Sequence, residues 1–273
     1  MASGRLEFYC PRWGSEALGH DAFCRRVREA GYDGVELGFP RDVAPRELDA
    51  AWEAAARAGL KVIAQHWDTT EADFARHREH YAAWWARLEG YPLVKVNTQT
   101  GRDHFDFEQN AALIADAAGY AASLGTAVAH ETHRGKFSFA AHVTRDYLER
   151  LPGLRLTLDI SHWCAVAETY LADQQAAVEL ALARTDHLHA RVGHPQGPQV
   201  PDPRVAAWRE ALDVHLAWWE RLARRFAGEG RVLTVTPEFG PAPYMTYHPL
   251  TGEPLADQWS VNVYMMELLR ERL

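Results

Sequence analysis

Strand-like and helix-like segments alternate along this chain of 273 residues from one end to the other. Short β-rich apolar runs are each followed by a longer segment in which apolar residues recur at helical spacing. The strand-like segments are 5–10, 33–38, 60–66, 92–98, 126–132, 154–160, 186–192 and 231–238. The predicted helices are 16–30, 45–58, 71–89, 107–123, 137–150, 165–183, 203–227 and 257–271. This regular alternation predicts parallel βαβ units.

Eight βαβ units are the number that closes a (β/α)₈ TIM barrel, a fold of about 250 residues. The chain has 273 residues, and no linker, low-complexity stretch or shift in composition divides it. We therefore predict a single TIM-barrel domain over residues 1–273. In such barrels the active site lies at the C-terminal ends of the strands.

Charge and hydrophobicity exclude two classes of partner. The net charge is −8 and no basic run reaches five residues, so we expect no nucleic-acid partner. No stretch approaches the roughly 18 apolar residues of a membrane span, and the segment MASGRLEFYCPRWG lacks the apolar region of a signal peptide. Three cysteines without metal-type spacing fit a reducing compartment. These features predict a cytoplasmic protein with no membrane association.

Four successive strand-like segments of the second half each carry one side chain that can bind a metal. These residues are Glu131, Asp159, His189 and Glu238, each near the C-terminal end of its segment. Three carboxylates and one imidazole suit a divalent ion such as Mn²⁺, Mg²⁺, Co²⁺ or Zn²⁺. The sequence therefore predicts one divalent metal ion at the mouth of the barrel.

The alternation of side chains along the strands supports the same four residues. If each of the four points into the barrel, the apolar residues beside it point outward, toward the helices. The outward residues then include Leu156, Leu158, Leu188, Leu233 and Val235. A single acid at a strand end is more often a helix cap or an ion-pair partner. Four on successive strands with one orientation favour a metal site, because buried carboxylates without a cation repel one another.

The motifs around these residues resemble those of a known superfamily. They are HETHRG (130–135), LDISHW (158–163), HLHARVG (187–193) and TPEFG (236–240). The chain resembles the sugar isomerase/epimerase superfamily with the xylose isomerase-like TIM barrel. The resemblance implies that Glu131, Asp159, His189 and Glu238 hold one divalent metal, and that Glu131 and Glu238 are the catalytic acid and base.

A metal flanked by two carboxylates suits proton transfer next to a carbonyl group, in which an enediolate is stabilised. Glu131 and Glu238 would approach the substrate from different sides, one removing the proton and the other returning it. The expected reaction is isomerisation or epimerisation of a small polyhydroxy carbonyl compound, a sugar or a sugar acid. Alternatively, both glutamates are ligands only, and another group moves the proton.

Three further residues are candidates for binding the substrate: His66, His162 and Arg191. Arg191 has the same orientation as His189 and offers a fork of donors to a carboxylate, a phosphate or vicinal hydroxyls. A charge pair with an inward acid such as Glu36 or Glu238 is an equally plausible role for it. The resemblance also allows a homo-oligomer.

Two other functions stay open from the sequence. One is a metal-dependent phosphoesterase or lyase of the endonuclease IV-like branch, in which the resemblance implies a three-metal cluster. That cluster needs histidines after strands 3 and 4, whereas strand 4 here carries Asn97 and Gln99. It also needs a D-x-H motif after strand 7, where this chain has Asp202-Pro203-Arg204. The other function is a non-catalytic sugar-binding barrel.

Overall fold

A computed structural model describes residues 5–273 and contains a closed barrel of eight strands. Each strand pairs in parallel with the next one along the chain, and the last pairs with the first. The strands are β1 (Arg5–Pro11), β2 (Gly34–Gly38), β3 (Lys61–His66), β4 (Lys95–Thr98), β5 (Val128–Glu131), β6 (Leu156–Leu158), β7 (Thr185–His189) and β8 (Val232–Thr236). The predicted (β/α)₈ TIM barrel is confirmed, with every predicted strand in place.

Helices cover the outside of the barrel and connect successive strands. Within residues 5–273 they are α1 (His20–Glu29), α2 (Pro45–Arg57), α3 (Phe74–Ala86), α4 (Phe107–Ser123), α5 (Ala141–Arg150), α6 (Ser161–Ala167), α7 (Gln175–Arg184), α8 (Arg209–Gly228) and α9 (Gln258–Arg272). A 3₁₀ turn at Ala206–Trp208 precedes α8. In the part of the chain that the structure describes, no helix is both long enough and apolar enough to span a bilayer.

The connection between β6 and β7 differs from the predicted single helix over 165–183. Two helices, α6 and α7, replace it, and α6 begins at Ser161, directly behind the barrel mouth. Glu168 and Leu171 have φ angles of 55° and 60°, in the left-handed region that ends a right-handed helix. The apolar spacing continues through this break, which is why the sequence pattern alone did not reveal it.

The two faces of the strands differ as the alternation predicts. The outward residues Leu156, Leu158, Leu188, Leu233 and Val235 are fully buried in the core between barrel and helices. The inward face is unusually polar; its buried residues include Glu7, Glu36, Gln65, Asn97, Thr234 and Thr236. The helix-facing layer therefore supplies most of the hydrophobic stabilisation, while the barrel interior is held by hydrogen bonds.

The first residue of β2, Gly34, has no room for a side chain. A Cβ atom at Gly34 would lie 2.4 Å from Cε1 of Tyr9 and 2.5 Å from the backbone oxygen of Lys61. We expect Gly34→Ala to lower the free energy of unfolding by about 1–3 kcal/mol, because the strands must separate. The matched control is Gly119→Ala in α4, where the added Cβ meets no atom within 4 Å. There the free energy of unfolding should rise by about 0.5–1 kcal/mol. Urea unfolding of both variants is the measurement, and equal effects would contradict the close packing of β1, β2 and β3.

Candidate metal centre

The barrel brings the four predicted metal ligands together at its C-terminal mouth. Glu131 ends β5, Asp159 follows β6, His189 ends β7, and Glu238 lies two residues beyond β8. One ligand atom from each lies within 4.8 Å of the others, and all four residues are buried. Because the carboxyl ends of parallel strands meet at one end of the barrel, residues far apart in sequence form one compact group.

Two carboxylates of the group, those of Glu131 and Glu238, each have one oxygen fixed by side-chain amides of the protein. For Glu131 this oxygen is Oε2, which accepts hydrogen bonds from the side-chain amides of Asn97 at 3.3 Å and Gln99 at 3.2 Å. For Glu238 it is Oε1, which accepts from Nε2 of Gln65 at 2.8 Å. These amides fix the rotation of both carboxylates without neutralising their charge.

Asp159 is fixed in the same way by the start of α6. Its Oδ1 atom accepts from the backbone N–H of Ser161 at 3.1 Å and from the hydroxyl of the same residue. Its Oδ2 atom is paired with the guanidinium of Arg191. The missed helix α6 thus positions one of the four ligands.

The remaining atoms of the group fit a divalent cation. Oε1 of Glu131 and Nδ1 of His189 are buried and have no hydrogen-bond partner. Oε2 of Glu238 lies 2.9 Å from Nδ1 of His189. Buried polar atoms without partners are costly, and a cation bound between them would satisfy both at once. A set of carboxylate oxygens and one imidazole nitrogen is a common ligand set for Mn²⁺, Co²⁺ and Zn²⁺.

The electrostatics of the group also favour a positive charge at its centre. Burial raises the pKa of Asp159 above its ordinary value, against the effect of Arg191. Burial would lower the pKa of His189, but the carboxylates of Glu238, Glu36 and Glu131 raise it well above its ordinary value. An imidazole that holds a proton so firmly reports a strongly negative surrounding.

A second group at the mouth, Glu131, His133 and His162, also has ligand atoms within 4.8 Å. Its surroundings are cationic: Nε of Arg134 lies 3.1 Å from one ring nitrogen of His162, and Nη2 of Arg191 lies 3.0 Å from the other. Two guanidinium groups beside one imidazole oppose the binding of a metal ion there. The four-residue group is the better metal site.

A cavity of about 540 Å³ opens over the four-residue group. Glu131, Glu238 and Arg191 form part of its floor. Its walls include Trp13, Gln65, Trp67, Gln99, His133 and Tyr244. Trp13 and Tyr244 pack edge to face, with ring centroids 5.2 Å apart. A pocket of this size, with aromatic walls and polar groups at its base, can hold a small molecule of sugar size.

Arg191 joins the acidic group and the pocket. It is buried, and its Nη2 atom is paired with Asp159 and lies 3.4 Å from Oε2 of Glu238. Its guanidinium carbon lies 4.6 Å from the centre of the Tyr244 ring. Of the two roles expected from the sequence, a charge pair with an inward acid is present, and the side chain also reaches the pocket.

Two of the expected substrate-binding residues do not line the cavity. His66 lies on the helix-facing side of β3, packed against Tyr81 and Trp84 of α3. Its ring nitrogens bond to the hydroxyls of Thr98 at 3.1 Å and Thr69 at 2.6 Å. His66 therefore does not reach the cavity, contrary to the expectation that it contacts substrate.

His162 reaches the acidic group but lies behind Arg191. Its ring is fully buried, and its Nε2 atom is 3.6 Å from Oδ2 of Asp159. It packs against His133, with ring centroids 4.0 Å apart. His162 contacts Arg191 and can hold its guanidinium in place. Of the two stacked histidines, His133 lines the cavity and His162 does not.

The amides that orient the carboxylates, and the tyrosine that forms one wall of the pocket, were not predicted from the sequence. Gln65 is paired in register with Asn97, whose side chain points into the barrel, so the two residues share the inward face. Gln99 lies one residue beyond β4 and two after Asn97, so the same alternation places it on the inward side. Tyr244 lies in a loop well beyond β8, where no comparable sequence signal marks it.

The closed parallel barrel has the fold of the xylose isomerase-like TIM barrels. No family model matches the chain, and no curated protein matches its sequence significantly. Solved structures do match. A 3-keto-D-glucoside 4-epimerase from E. coli has 15% identity and a TM-score of 0.64, over 98% of this chain and 100% of that one.

Two further structures share the fold. A D-allulose 3-epimerase from Methylomonas sp. has 16% identity and a TM-score of 0.61, with all of both chains covered. A family 2 AP endonuclease from Brucella melitensis has 15% identity and a TM-score of 0.52, over 86% of this chain and 93% of that one. The resemblance seen in the motifs is thus confirmed for the fold, which sugar epimerases and an endonuclease have in common.

Metal binding at the four-residue group should stabilise the folded chain. We expect Mn²⁺ or Zn²⁺, added to chelator-treated protein, to raise the unfolding temperature, because a ligand that binds only the folded state stabilises it. Asp159→Asn should remove most of this shift. The control is Glu7→Gln, which removes a buried inward carboxylate held by Lys61 and Tyr9. Differential scanning fluorimetry measures the shift, and an unchanged shift in Asp159→Asn would exclude that ligand.

Proposed function

We propose that this protein is a metal-dependent isomerase or epimerase of a sugar or sugar acid, acting through an enediolate. The observation that carries the proposal is the placement of Glu131 and Glu238. Both line the same cavity, both contribute to the predicted metal centre, and each is fixed by amides through one oxygen only. Two carboxylates facing one small pocket suit removal and return of a proton.

The two glutamates would share the proton transfer. One carboxylate takes the proton from the carbon next to the substrate carbonyl, and the other delivers a proton to the product carbon or oxygen. His189 and Arg191 hold the pKa of Glu238 below its ordinary value against the effect of burial, so this carboxylate is ionised at neutral pH, as a base must be. Gln65 and Gln99 keep the carboxylates oriented during the transfer.

Glu131, Asp159, His189 and Glu238 would hold one divalent ion. When bound, such an ion polarises a carbonyl oxygen and stabilises negative charge on the neighbouring oxygens. Mn²⁺, Mg²⁺, Co²⁺ and Zn²⁺ are all compatible with three carboxylates and one imidazole, and the ligand set does not choose among them.

The pocket walls favour a small polyhydroxy substrate. Trp13, Trp67 and Tyr244 offer aromatic faces that exclude water, and Arg191 offers a cation at the base. The two epimerases of the same fold are named for reactions of sugars or keto-glucosides, which agrees with this proposal.

Phosphoester cleavage of the endonuclease type is the main alternative, since an AP endonuclease shares the fold. The side chains near Glu131 are unfavourable for it. Asn97 and Gln99 direct amides at Glu131, and His66 faces the helices, so the extra metal ligands expected for a three-metal cluster are not assembled. A single-metal proton-transfer enzyme fits this environment better.

Reaction in deuterated water separates the proposed chemistry from its alternatives. The metal-loaded protein, screened with ketoses, aldoses and sugar acids, should place deuterium on the carbon next to the carbonyl of a turned-over substrate. Glu238→Gln should lower turnover by about a hundredfold or more, the range expected when a positioned acid–base group is lost. NMR of the products is the measurement. Cleavage without deuterium incorporation would favour a phosphoesterase or lyase, and binding without turnover would favour a sugar-binding barrel.

Arg191 should affect substrate binding more than the chemical step. We expect Arg191→Met to raise KM about tenfold or more with a smaller change in kcat, because a binding contact made equally in ground and transition states is lost. Metal content by elemental analysis is the second measurement. If the variant loses its metal or its fold, Arg191 serves the acidic group rather than the substrate.

A further inference from the structure

A buried carboxylate outside the predicted metal ligands touches the only imidazole among them. Glu36 lies on β2 with its side chain inside the barrel, and it is 1% exposed. Its Oε1 and Oε2 atoms lie 3.1 and 3.2 Å from Nε2 of His189. The other ring nitrogen of His189, Nδ1, faces Glu238 at 2.9 Å and Glu131 at 3.7 Å. The two nitrogens of one ring therefore face two different groups of carboxylates.

A neutral imidazole carries its hydrogen on one nitrogen and binds a metal through the other. The neighbours of Nε2 show which of the two nitrogens of His189 carries the hydrogen. An ionised carboxylate only accepts hydrogen bonds, so contact with Glu36 requires an N–H at Nε2. Nδ2 of Asn97 also lies 3.1 Å from Nε2 and would require a lone pair there. The hydrogens of Asn97 have carboxylate acceptors in Glu36 at 2.9 Å and Glu131 at 3.3 Å. The geometry thus favours a hydrogen on Nε2 and leaves Nδ1, which faces Glu238 and Glu131, as the nitrogen that would bind a metal.

Glu36 is itself held in place from several sides. Asn97 donates to Oε1, and the hydroxyl of Thr236 donates to Oε2. Nε2 of His187 lies 3.2 Å from Oε2, and Nδ1 of that ring is 3.0 Å from the backbone oxygen of Thr234. A carboxylate fixed in this way can fix the ring that it contacts.

Glu36, His187 and His189 are close enough together to be a metal site of their own. The ring nitrogens oppose that role, because Nδ1 of His189, the nitrogen without a hydrogen-bond partner, faces Glu238 rather than Glu36. Oε1 of Glu131 and Nδ1 of His189, two possible ligand atoms without hydrogen-bond partners, belong to the four-residue group instead. Glu36 therefore stands behind the metal site rather than in it.

We propose that Glu36 is a positioning residue that accepts a hydrogen bond from Nε2 of His189 and so presents Nδ1 to the metal. The inference rests on the proposed metal centre but not on the reaction assigned to it. Carboxylates that accept from a metal-bound histidine orient the ring and make it a stronger ligand. Here the barrel supplies that carboxylate from β2, which is separated from β7 around the closed barrel by β8 and β1.

Zn²⁺ affinity of the Glu36→Gln variant tests the proposal without any substrate. Gln has nearly the same shape as Glu but offers a neutral oxygen, so the hydrogen bond weakens while the packing is kept. We expect the Zn²⁺ dissociation constant, measured by competition with a chromogenic chelator, to rise about ten- to a hundredfold. The matched control, Glu7→Gln, also removes a buried inward carboxylate, but Glu7 bonds to Lys61 and Tyr9 instead of His189. Its dissociation constant should stay near that of the unaltered protein.

Nitrogen NMR of the Zn²⁺-loaded protein gives a readout that a merely structural role would not change. With histidines labelled with ¹⁵N, and His189 assigned by its loss in His189→Asn, Nε2 should carry a hydrogen and Nδ1 should show the shift of a metal-bound nitrogen. In Glu36→Gln the Nε2 hydrogen should exchange faster with solvent. A hydrogen on Nδ1, or Zn²⁺ bound through Nε2, would overturn the proposal.

The remaining outcomes are also decisive. Unchanged Zn²⁺ affinity in Glu36→Gln overturns the proposal while leaving the metal centre intact. A drop from two bound ions to one would make Glu36 a ligand and overturn it as well. If the unaltered protein binds no metal, the proposed metal centre itself fails. Should Glu36→Gln not fold, Thr236→Val removes only the hydroxyl that fixes Glu36, and a several-fold weaker Zn²⁺ affinity would support the same conclusion.

Discussion

Mutual repulsion among three buried carboxylates is the constraint on which the rest of this structure depends. Glu131, Asp159 and Glu238 approach one another at the mouth of a barrel that excludes water from them. Removing such charges from water costs several kcal/mol each unless opposite charge and hydrogen bonds compensate. The chain provides both, with amides on two carboxylates, a serine and Arg191 on the third, and His189 between them. The compensation is incomplete at two atoms, and that is where a cation fits.

The polar lumen follows from this constraint. A barrel interior is usually filled by layers of branched apolar side chains. Here Glu36, Asn97 and Thr236 occupy the layer below the metal ligands and bond to one another. An apolar layer would leave Nε2 of His189 as a buried polar group without a partner, and it would remove one of the two donors to Oε2 of Glu131. Stability is supplied instead by the outward layer, where Leu156, Leu188 and Val235 pack against the helices.

Strand alternation explains both what the sequence predicted and what it missed. It placed Glu131, Asp159, His189 and Glu238 on one face, because a period of two is fixed by the backbone. The same rule, extended through strand pairing, places Gln65 inside with Asn97 and turns His66 toward Tyr81 and Trp84. His66 was predicted to bind substrate because an imidazole can bond to substrate oxygens, but its side chain points away from the pocket. The alternation extends a residue or two past the strand ends, as it does for Asp159, Glu238 and Gln99. Tyr244 and the break between α6 and α7 lie farther from the strands and depend on loop packing that a single sequence does not encode locally.

Amides in place of imidazoles at the end of β4 give this site its chemical character. A histidine at either position could bind a second ion, and two ions close together would suit phosphoester cleavage. The amide nitrogens of Asn97 and Gln99 donate hydrogen bonds and do not bind metals, so they orient Glu131 and leave its second oxygen free. A carboxylate held by two donors on one side and open on the other is suited to accept a proton from a substrate in the cavity. The amides that stand where additional metal ligands would be are therefore the same groups that orient Glu131 at the cavity.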